Sequence, residues 1–248
     1  MGENDNLIFG TRAVIEAIIA GKAIEKILLQ KGLSNELYHQ LRKAIQGTTI
    51  PLQFVPAEKL QRISAKNHQG VIAYLTEITY FQTEDLLSEV FESGRTPLLL
   101  ILDRVTDVRN FGAIARSAEC AGVDFIIIPT RGAAQINGDA IKTSAGALHQ
   151  IKVCREENLK NTIEYLKESG VQIVACHEKT TNLYFNADLA QPTALIMGSE
   201  ENGISGEYLK RSDLQVKIPM NGNTASLNVS VATGIILFEA VKQRLQST

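Results

Sequence analysis

The chain has 248 residues, 44% of them hydrophobic, and its 25 Lys/Arg and 27 Asp/Glu give a net charge of −2. This is the composition of an ordinary globular protein, and no apolar run approaches the ~20 residues that cross a bilayer. The opening residues MGENDNLIFG lack the basic and then apolar order of a secretion signal, so we expect a cytoplasmic protein. The three cysteines and four histidines are scattered, which predicts no metal site.

Residues 1–76 are predicted to form a small α/β or α+β domain. The predicted elements are helices over 13–22 and 34–46 and strands over 24–30, 51–55 and 70–75. These 76 residues carry nine Lys/Arg and six Asp/Glu. That excess is compatible with a nucleic-acid partner and equally with a plain protein surface.

Residues 77–96 are interpreted as a linker between two domains. The segment is acidic and ends in Ser93-Gly94 just before Pro97, although a short helix over 84–92 is compatible with its pattern. This places the domain boundary between residue 76 and residue 97.

Residues 97–248 are predicted to form an α/β domain around a parallel sheet, because continuous apolar strands alternate with helices. The predicted strands are 97–102, 125–129, 171–176, 193–198 and 214–219, and the predicted helices are 112–122, 157–170 and 226–245. In such sheets ligands bind at the carboxyl ends of the strands, so the loops that follow them are the candidate sites.

The first candidate loop follows strand 97–102 and leads into a helix (DRVTDVRNFGAIARSAECAGV). Asn110 is placed either to cap this helix or to point into the cleft, and Gly112 permits close approach of another backbone. Arg116 lies among small residues, from where a long cation can reach into a pocket. An ordinary surface arginine on an amphipathic helix is the simpler alternative.

The second candidate loop is IMGSEENGIS, in which Gly198 and Gly203 are separated by four residues. This spacing is close to that of a phosphate-binding P-loop, but Ile204 stands where the essential lysine belongs. The adjacent carboxylates Glu200 and Glu201 would also repel a triphosphate. The loop is therefore better suited to a neutral or cationic ligand.

The third candidate loop, IPMNGNTASLNVSVATG, joins strand 214–219 to the last helix, and Asn221-Gly222 predicts a turn. Either Thr224 or Ser226 is suited to cap the helix, which accounts for one hydroxyl. Capping does not account for the remaining small polar residues, among them Asn228, which is predicted in the first turn. No two glycines are spaced i, i+2, so the dinucleotide-binding fingerprint is absent from the sequence.

These three loops resemble, in order and spacing, the three motifs of the SpoU/TrmH RNA ribose 2′-O-methyltransferases, which belong to the SPOUT class. SLNVSVA is the most specific part of the resemblance. Residues 7–76, with FGTRAVIEAI and HQGVIAYL, resemble the substrate-binding domain of part of the family. The two-domain form looks most like the subfamily that methylates a guanosine in 23S ribosomal RNA.

The resemblance implies a fold, a cofactor and a partner. The implied fold is an α/β domain over 97–248 with a parallel sheet and a deep trefoil knot, preceded by a small RNA substrate-binding domain over 1–76. The implied cofactor is S-adenosylmethionine, with no metal and no membrane partner. The family forms homodimers, and an apolar face of the last helix is consistent with one: Val229, Val231, Ile235, Ile236 and Phe238.

The resemblance also implies roles for particular residues. The expected catalytic set is Arg116, Asn110, Glu200, Ser226 and Asn228, and the expected cofactor-binding set is Gly198, Ile218, Met220 and Leu227. The sequence departs from the family pattern at Val108, where proline is frequent, and at Glu201, where glycine is frequent. Neither departure removes a reacting group, but both bear on loop shape and RNA preference.

Three alternatives stay open at this point: methylation of transfer RNA, a non-catalytic RNA-binding protein on the same fold, and a nucleotide-dependent enzyme on an unknotted sheet. The intact catalytic set disfavours the second. Ile204 and the missing G-x-G pattern disfavour the third.

Overall fold

The computed structural model describes residues 7–76, 78–224 and 226–247. The chain divides into two compact units, Met1–Thr79 and Tyr80–Thr248. Within the described residues, no helix combines the length and the apolar character needed to cross a membrane.

The N-terminal unit is a four-stranded mixed sheet with three helices. Its elements are β1 (Leu7–Phe9), α1 (Thr11–Ile19), β2 (Ile24–Gln30), α2 (Glu36–Ile45), β3 (Leu52–Val55), α3 (Ala57–Ile63) and β4 (Val71–Leu75). The strand order is β1-β4-β2-β3, in which β2 and β3 are parallel and the other pairs antiparallel. The predicted helices and strands of this unit are confirmed, whereas β1 and α3 were not predicted.

The two faces of this sheet are covered unequally. Helices α1 and α2 pack on one face through Val14 and Leu41, which bury Ile27 and Leu29 of β2. The other face is covered by α3, whose Leu60 packs with Leu28, Val55 and Ile72. The seven-residue α3 therefore shields much less of the sheet than α1 and α2 do.

The C-terminal unit is a seven-stranded sheet in which every strand pair is parallel. Its elements are β5 (Tyr80–Phe81), α4 (Thr83–Glu92), β6 (Leu98–Asp103), α5 (Val108–Cys120), β7 (Phe125–Pro129), α6 (Gly138–Thr143), β8 (Lys152–Glu156), α7 (Leu159–Glu168), β9 (Gln172–Cys176), β10 (Thr193–Gly198), α8 (Gly206–Leu209), β11 (Leu214–Val216) and α9 (Val229–Gln246). The predicted α/β fold with a small N-terminal domain is confirmed. The strand order suits the SPOUT class, and the knot itself stays a prediction.

The interpretation of 77–96 as a linker needs correction. Residues 80–92 belong to the C-terminal unit, because β5 pairs with β8 and α4 packs against the sheet. Helix α4 buries Leu86, Leu87 and Val90, while its acidic residues face solvent. The acidic composition thus marked the exposed face of an amphipathic helix rather than a flexible connector.

Two helix starts also differ from prediction. Helix α5 begins at Val108, and Asp107 is its N-cap, accepting a hydrogen bond from the Asn110 backbone N–H at 2.8 Å. Helix α9 begins at Val229, and its N-cap is Asn228 rather than Thr224 or Ser226. The Asn228 side chain accepts from the Ser230 N–H at 2.9 Å, so the low helix propensity of asparagine carries no cost at this position.

The order β11-β9-β10-β6-β7-β8-β5 has a switch point between β10 and β6. From β6 the chain continues to β7 on one side, whereas from the neighbouring β10 it continues past β9 to β11 on the other side. Connections that leave in opposite directions open a crevice at the carboxyl ends of the strands. The strands end level there, with Gly198 of β10 opposite Asp103 of β6.

Candidate active site

The loops that follow β9, β10 and β11, together with the start of α9, line a cavity of ≈ 660 Å³. This volume lies within the range of about 300–1,000 Å³ typical of small-molecule sites. All four residues predicted to bind a cofactor line the cavity: Gly198, Ile218, Met220 and Leu227. These four residues are spread over positions 198 to 227 of the sequence, and the fold brings them together around one cavity.

The loop after β10 is folded back on itself so tightly that Gly198 has no room for a side chain. A Cβ at this position would lie 2.2 Å from the Gly203 carbonyl carbon and 2.3 Å from the Ile204 nitrogen. Ser199 and Gly203 exchange two backbone hydrogen bonds of 3.1 and 2.9 Å, which close the turn. Gly203 has φ +61°, a conformation that favours glycine.

Asp103, which was not predicted as a site residue, fixes the far end of this loop. Its carboxylate is 1% exposed and accepts a hydrogen bond from the Ser205 backbone N–H at 2.6 Å. Arg104 donates to the same carboxylate at 2.8 and 3.0 Å and to the Gly203 carbonyl at 3.3 Å. One signal of this role was present in the sequence, since a carboxylate ends the otherwise apolar strand LLLILD.

We expect Asp103→Asn to loosen this loop and to weaken ligand binding in the cavity. The substitution removes the negative charge that pairs with Arg104, at a cost of about 2 kcal/mol in unfolding free energy. Denaturant unfolding and titration calorimetry with S-adenosylmethionine measure the two effects.

Asp124→Asn is the matched control for this experiment. Asp124 is also a shielded carboxylate, which binds Arg95 and accepts from the Leu98 N–H at 2.9 Å at the opposite end of β6. We expect Asp124→Asn to lower the free energy of unfolding by a similar amount and to leave the affinity for S-adenosylmethionine unchanged. Equal loss of affinity in both variants would show that Asp103 acts only through global stability.

Three predicted catalytic residues form a continuous chain of side-chain hydrogen bonds beside the cavity. The Asn110 Nδ2 donates to Glu200 Oε1, and the Asn228 Nδ2 donates to Asn110 Oδ1 at 3.0 Å. The Asn228 Oδ1 in turn accepts from the backbone and hydroxyl of Ser230 at 2.9 and 2.6 Å. The chain ties the first turn of α5 to the loop after β10 and to the N-terminus of α9, since Glu200 and Asn228 lie 90 and 118 positions after Asn110.

The other two predicted catalytic residues, Ser226 and Arg116, lie outside this chain of hydrogen bonds among the described residues. Ser226 is exposed and lines the cavity. Arg116 is exposed on the third turn of α5, and no hydrogen bond or ion pair joins it to another residue within the described part of the chain. Six helical positions separate it from Asn110, which corresponds to about 9 Å along the axis and about 120° around it. Arg116 is therefore not joined to the other four residues of the expected catalytic set within the described part of one chain.

The cavity is mixed in charge. Three carboxylates line it, those of Glu178, Glu200 and Glu201, and so do Lys179 and Lys217. Cys176 lies at the end of β9, and burial raises its pKa to about 12. The Cys176 thiol therefore stays neutral near pH 7 and contributes surface rather than a reactive thiolate.

Fold and site together define an α/β protein with a ligand cavity at the switch point of a parallel sheet. Residues 97–238 match the model of the SpoU rRNA methylase family, and residues 7–81 match the RNA 2′-O ribose methyltransferase substrate-binding domain. The chain therefore belongs to the SpoU family of RNA methyltransferases. This match confirms the resemblance of the three loops at the level of the family.

Individual relatives agree with this assignment. A Staphylococcus saprophyticus protein assigned to the TrmH family of tRNA/rRNA methyltransferases is 35% identical over 238 residues, 96% of each chain. The AdoMet-bound rRNA methyltransferase from Sinorhizobium meliloti is 26% identical, with a TM-score of 0.59, over 95% of this chain and 86% of that one. The A. aeolicus TrmH/SpoU tRNA modifying enzyme is 32% identical, with a TM-score of 0.57, over 66% of this chain and 85% of that one.

Proposed function

We propose that this protein transfers a methyl group from S-adenosylmethionine to the ribose 2′-OH of a guanosine in 23S ribosomal RNA. The observation that carries the proposal is the hydrogen-bonded chain Glu200–Asn110–Asn228 beside a cofactor-sized cavity. A protein that only binds RNA has no need to hold these three polar side chains together at the mouth of a ligand cavity. We also propose a cytoplasmic location, because the similar RNA methyltransferases are bacterial proteins.

The residues of the cavity fit the cofactor. Gly198 allows the loop after β10 to fold tightly beside the cavity, because a Cβ there would meet the backbone of Gly203 and Ile204. Ile218, Met220 and Leu227 supply apolar surface, and the carboxylates of the lining suit a sulfonium cation. The missing P-loop lysine agrees with a ligand that carries no phosphate.

When bound, S-adenosylmethionine supplies a methyl group to the 2′ oxygen, and its sulfonium becomes a neutral thioether. The protein's part is to hold the ribose in line and to let the 2′-OH proton leave. We assign Arg116 to the target phosphate and ribose, because its planar fork matches phosphate and guanidinium does not act as a base. A phosphate oxygen or water accepts the proton. Asn110, Glu200, Ser226 and Asn228 orient the ribose.

Ribosomal RNA is favoured over transfer RNA by the extent of the structural matches. The rRNA methyltransferase covers 95% of this chain, which includes both units. The match to the tRNA modifying enzyme covers 66% of this chain, and a match of that length cannot include both units in full. A two-unit architecture in the rRNA enzyme therefore supports the same class of substrate here.

We also propose a homodimer that completes the site. Arg116 lies outside the cavity lining of its own chain, and the apolar face predicted on α9 is divided. Val229 and Ile236 are buried in their own unit, whereas Val231 and Phe238 are 51% and 50% exposed. Val231 and Phe238 lie seven residues apart on one helical stripe, which suits a second copy. Analytical ultracentrifugation showing a monomer would contradict this part of the proposal.

The test of the function is to delete the gene and map 2′-O-methyl groups in total RNA by mass spectrometry. We expect loss of one guanosine methylation in 23S ribosomal RNA, restored by the wild-type gene. Loss of a transfer RNA site instead would reassign the substrate. An unchanged methylation map, with RNA binding intact, would favour the non-catalytic alternative.

A further inference from the structure

Helix α3 covers one face of the N-terminal sheet only in part and leaves side chains of β1 and β4 partly exposed. Helix α3 packs over Leu28, Val55 and Ile72, which are at most 2% exposed. Phe9 of β1 and Tyr74 of β4 lie at the edge of this cluster and remain partly exposed. Two aromatic rings are thus accessible on a sheet whose opposite face is closed by two helices.

Strand register places the two rings on the same face. Tyr74 pairs with Leu7 on one side and with Lys26 on the other, so the three residues form a row across β1, β4 and β2. Phe9 lies two residues after Leu7 and therefore points in the same direction. The rings of Phe9 and Tyr74 accordingly belong to one continuous surface rather than to separate parts of the unit.

A lysine ammonium group lies over each of these two rings. The Lys26 Nζ lies 4.5 Å from the centroid of the Tyr74 ring, and the Lys66 Nζ lies 5.2 Å from that of Phe9. Burial lowers the pKa of Lys26, as does the nearby charge of Lys59, while Glu25 acts in the opposite sense. Ammonium groups held over aromatic rings and partly removed from water gain from an anionic partner.

The charge of the whole unit has the same sign. Residues 1–79 carry nine Lys/Arg against seven Asp/Glu, which is a small positive excess, and Glu58 on α3 is the acidic neighbour of Lys59. The lysines beside the two rings, rather than the net charge of the unit, therefore favour a polyanion as the partner. Aromatic rings interleaved with lysines match single-stranded nucleic acid, because bases stack on rings while phosphates meet cations.

We propose that this surface, formed by Phe9, Lys26, Lys59, Lys66 and Tyr74, binds a single-stranded segment of the substrate RNA; we call it the Phe9–Tyr74 face. The inference rests on the proposed function and names the part of the N-terminal unit that contacts RNA. A duplex is a poorer ligand, because its bases are already stacked and its major groove is too narrow for side chains.

The test uses the full-length protein and a fluorescein-labelled, unstructured RNA of about 12 nucleotides, a length within the usual range of single-strand sites. Fluorescence anisotropy should show that Tyr74→Leu raises the Kd about tenfold, as expected for loss of one stacked base. Replacing Lys26, Lys59 and Lys66 with Gln should reduce the slope of log Kd against log salt by about 2, or about 0.7 for each phosphate contact.

Two matched controls are available within the same unit. Phe54 is 47% exposed and lies opposite Leu29 on the other face of the sheet, so Phe54→Leu removes an exposed ring elsewhere. Lys22 is an exposed lysine in the turn after α1, so Lys22→Gln removes one charge elsewhere. Neither variant should change the Kd or the salt slope. Thermal unfolding of each variant shows whether the unit remains folded.

The outcomes separate this inference from the proposed function. Wild-type RNA affinity in folded face variants would overturn the inference, and so would equal competition by poly-glutamate, which lacks bases. The proposed function would still stand if those variants methylate RNA normally. Conversely, if the face variants lose binding while the wild-type protein methylates no RNA, the inference stands and the proposed function fails.

Discussion

Arg116→Ala is expected to abolish RNA methylation while S-adenosylmethionine binding stays near wild type. Arg116 is exposed on α5 and does not line the cavity, so its loss removes no cofactor contact. The proposed contribution is positioning of phosphate and ribose, and a misplacement of about 1 Å at a reacting group costs on the order of 100-fold in rate. Single-turnover methylation and titration calorimetry measure the two quantities independently.

The conservative variant separates charge from shape at the same position. Arg116→Lys keeps the positive charge but loses the planar pair of donors that matches a phosphate. We expect partial recovery of the rate relative to Arg116→Ala, mainly through the KM for RNA. Complete loss of cofactor binding in either variant would contradict the assignment, because it would place Arg116 in the cofactor site.

The regular parts of the fold were predictable because their sequence patterns are strong. Strands β6 and β7 are buried along nearly their whole length and therefore appear as unbroken apolar runs, LLLIL and FIII. Strand β8 (KVCRE) and helix α6 (GDAIKT) were missed, since each is short and mixes polar with apolar residues. The buried Arg155 of β8 is typical of residues that only tertiary contacts explain.

The candidate site was predictable from the sequence only in part. The resemblance to known motifs identified Gly198, Ile218 and Leu227, and the structure places all three around one cavity. It did not identify Asp103, because a carboxylate that acts by holding a neighbouring loop leaves no motif. The separation of Arg116 from Asn110 was equally hidden, since six positions along a chain give no distance until the helix and its neighbours are known.

Gly198→Ala is expected to reduce S-adenosylmethionine affinity about 5- to 150-fold, and RNA methylation at low cofactor concentration falls with it. The added Cβ would meet backbone atoms of Gly203 and Ile204 at 2.2 and 2.3 Å, which no rotamer change can relieve. The loop has to move, and overpacking of this kind costs about 1–3 kcal/mol. Because the same loop lines the cavity and carries Glu200, its displacement alters the ligand site directly.

Gly206→Ala is the matched control. Gly206 lies eight residues further on, at the start of α8, and a Cβ there meets nothing within 4 Å. Alanine also has the higher helix propensity, so stability should be unchanged or slightly raised. Wild-type affinity in Gly198→Ala would show that the loop can relax without affecting the cavity, and would remove this glycine from the cofactor site.

Arg116→Ala and Gly198→Ala also test how the site is assembled, when they are assayed at an S-adenosylmethionine concentration too low to load the Gly198→Ala site. If Arg116 serves the cavity of the partner subunit, a heterodimer of Arg116→Ala and Gly198→Ala chains contains one complete site. That site combines Arg116 from one chain with an intact Gly198 loop from the other. Random mixing of subunits should therefore restore about a quarter of wild-type activity. If Arg116 serves its own chain, every site in the mixture carries one defect, and mixing restores nothing.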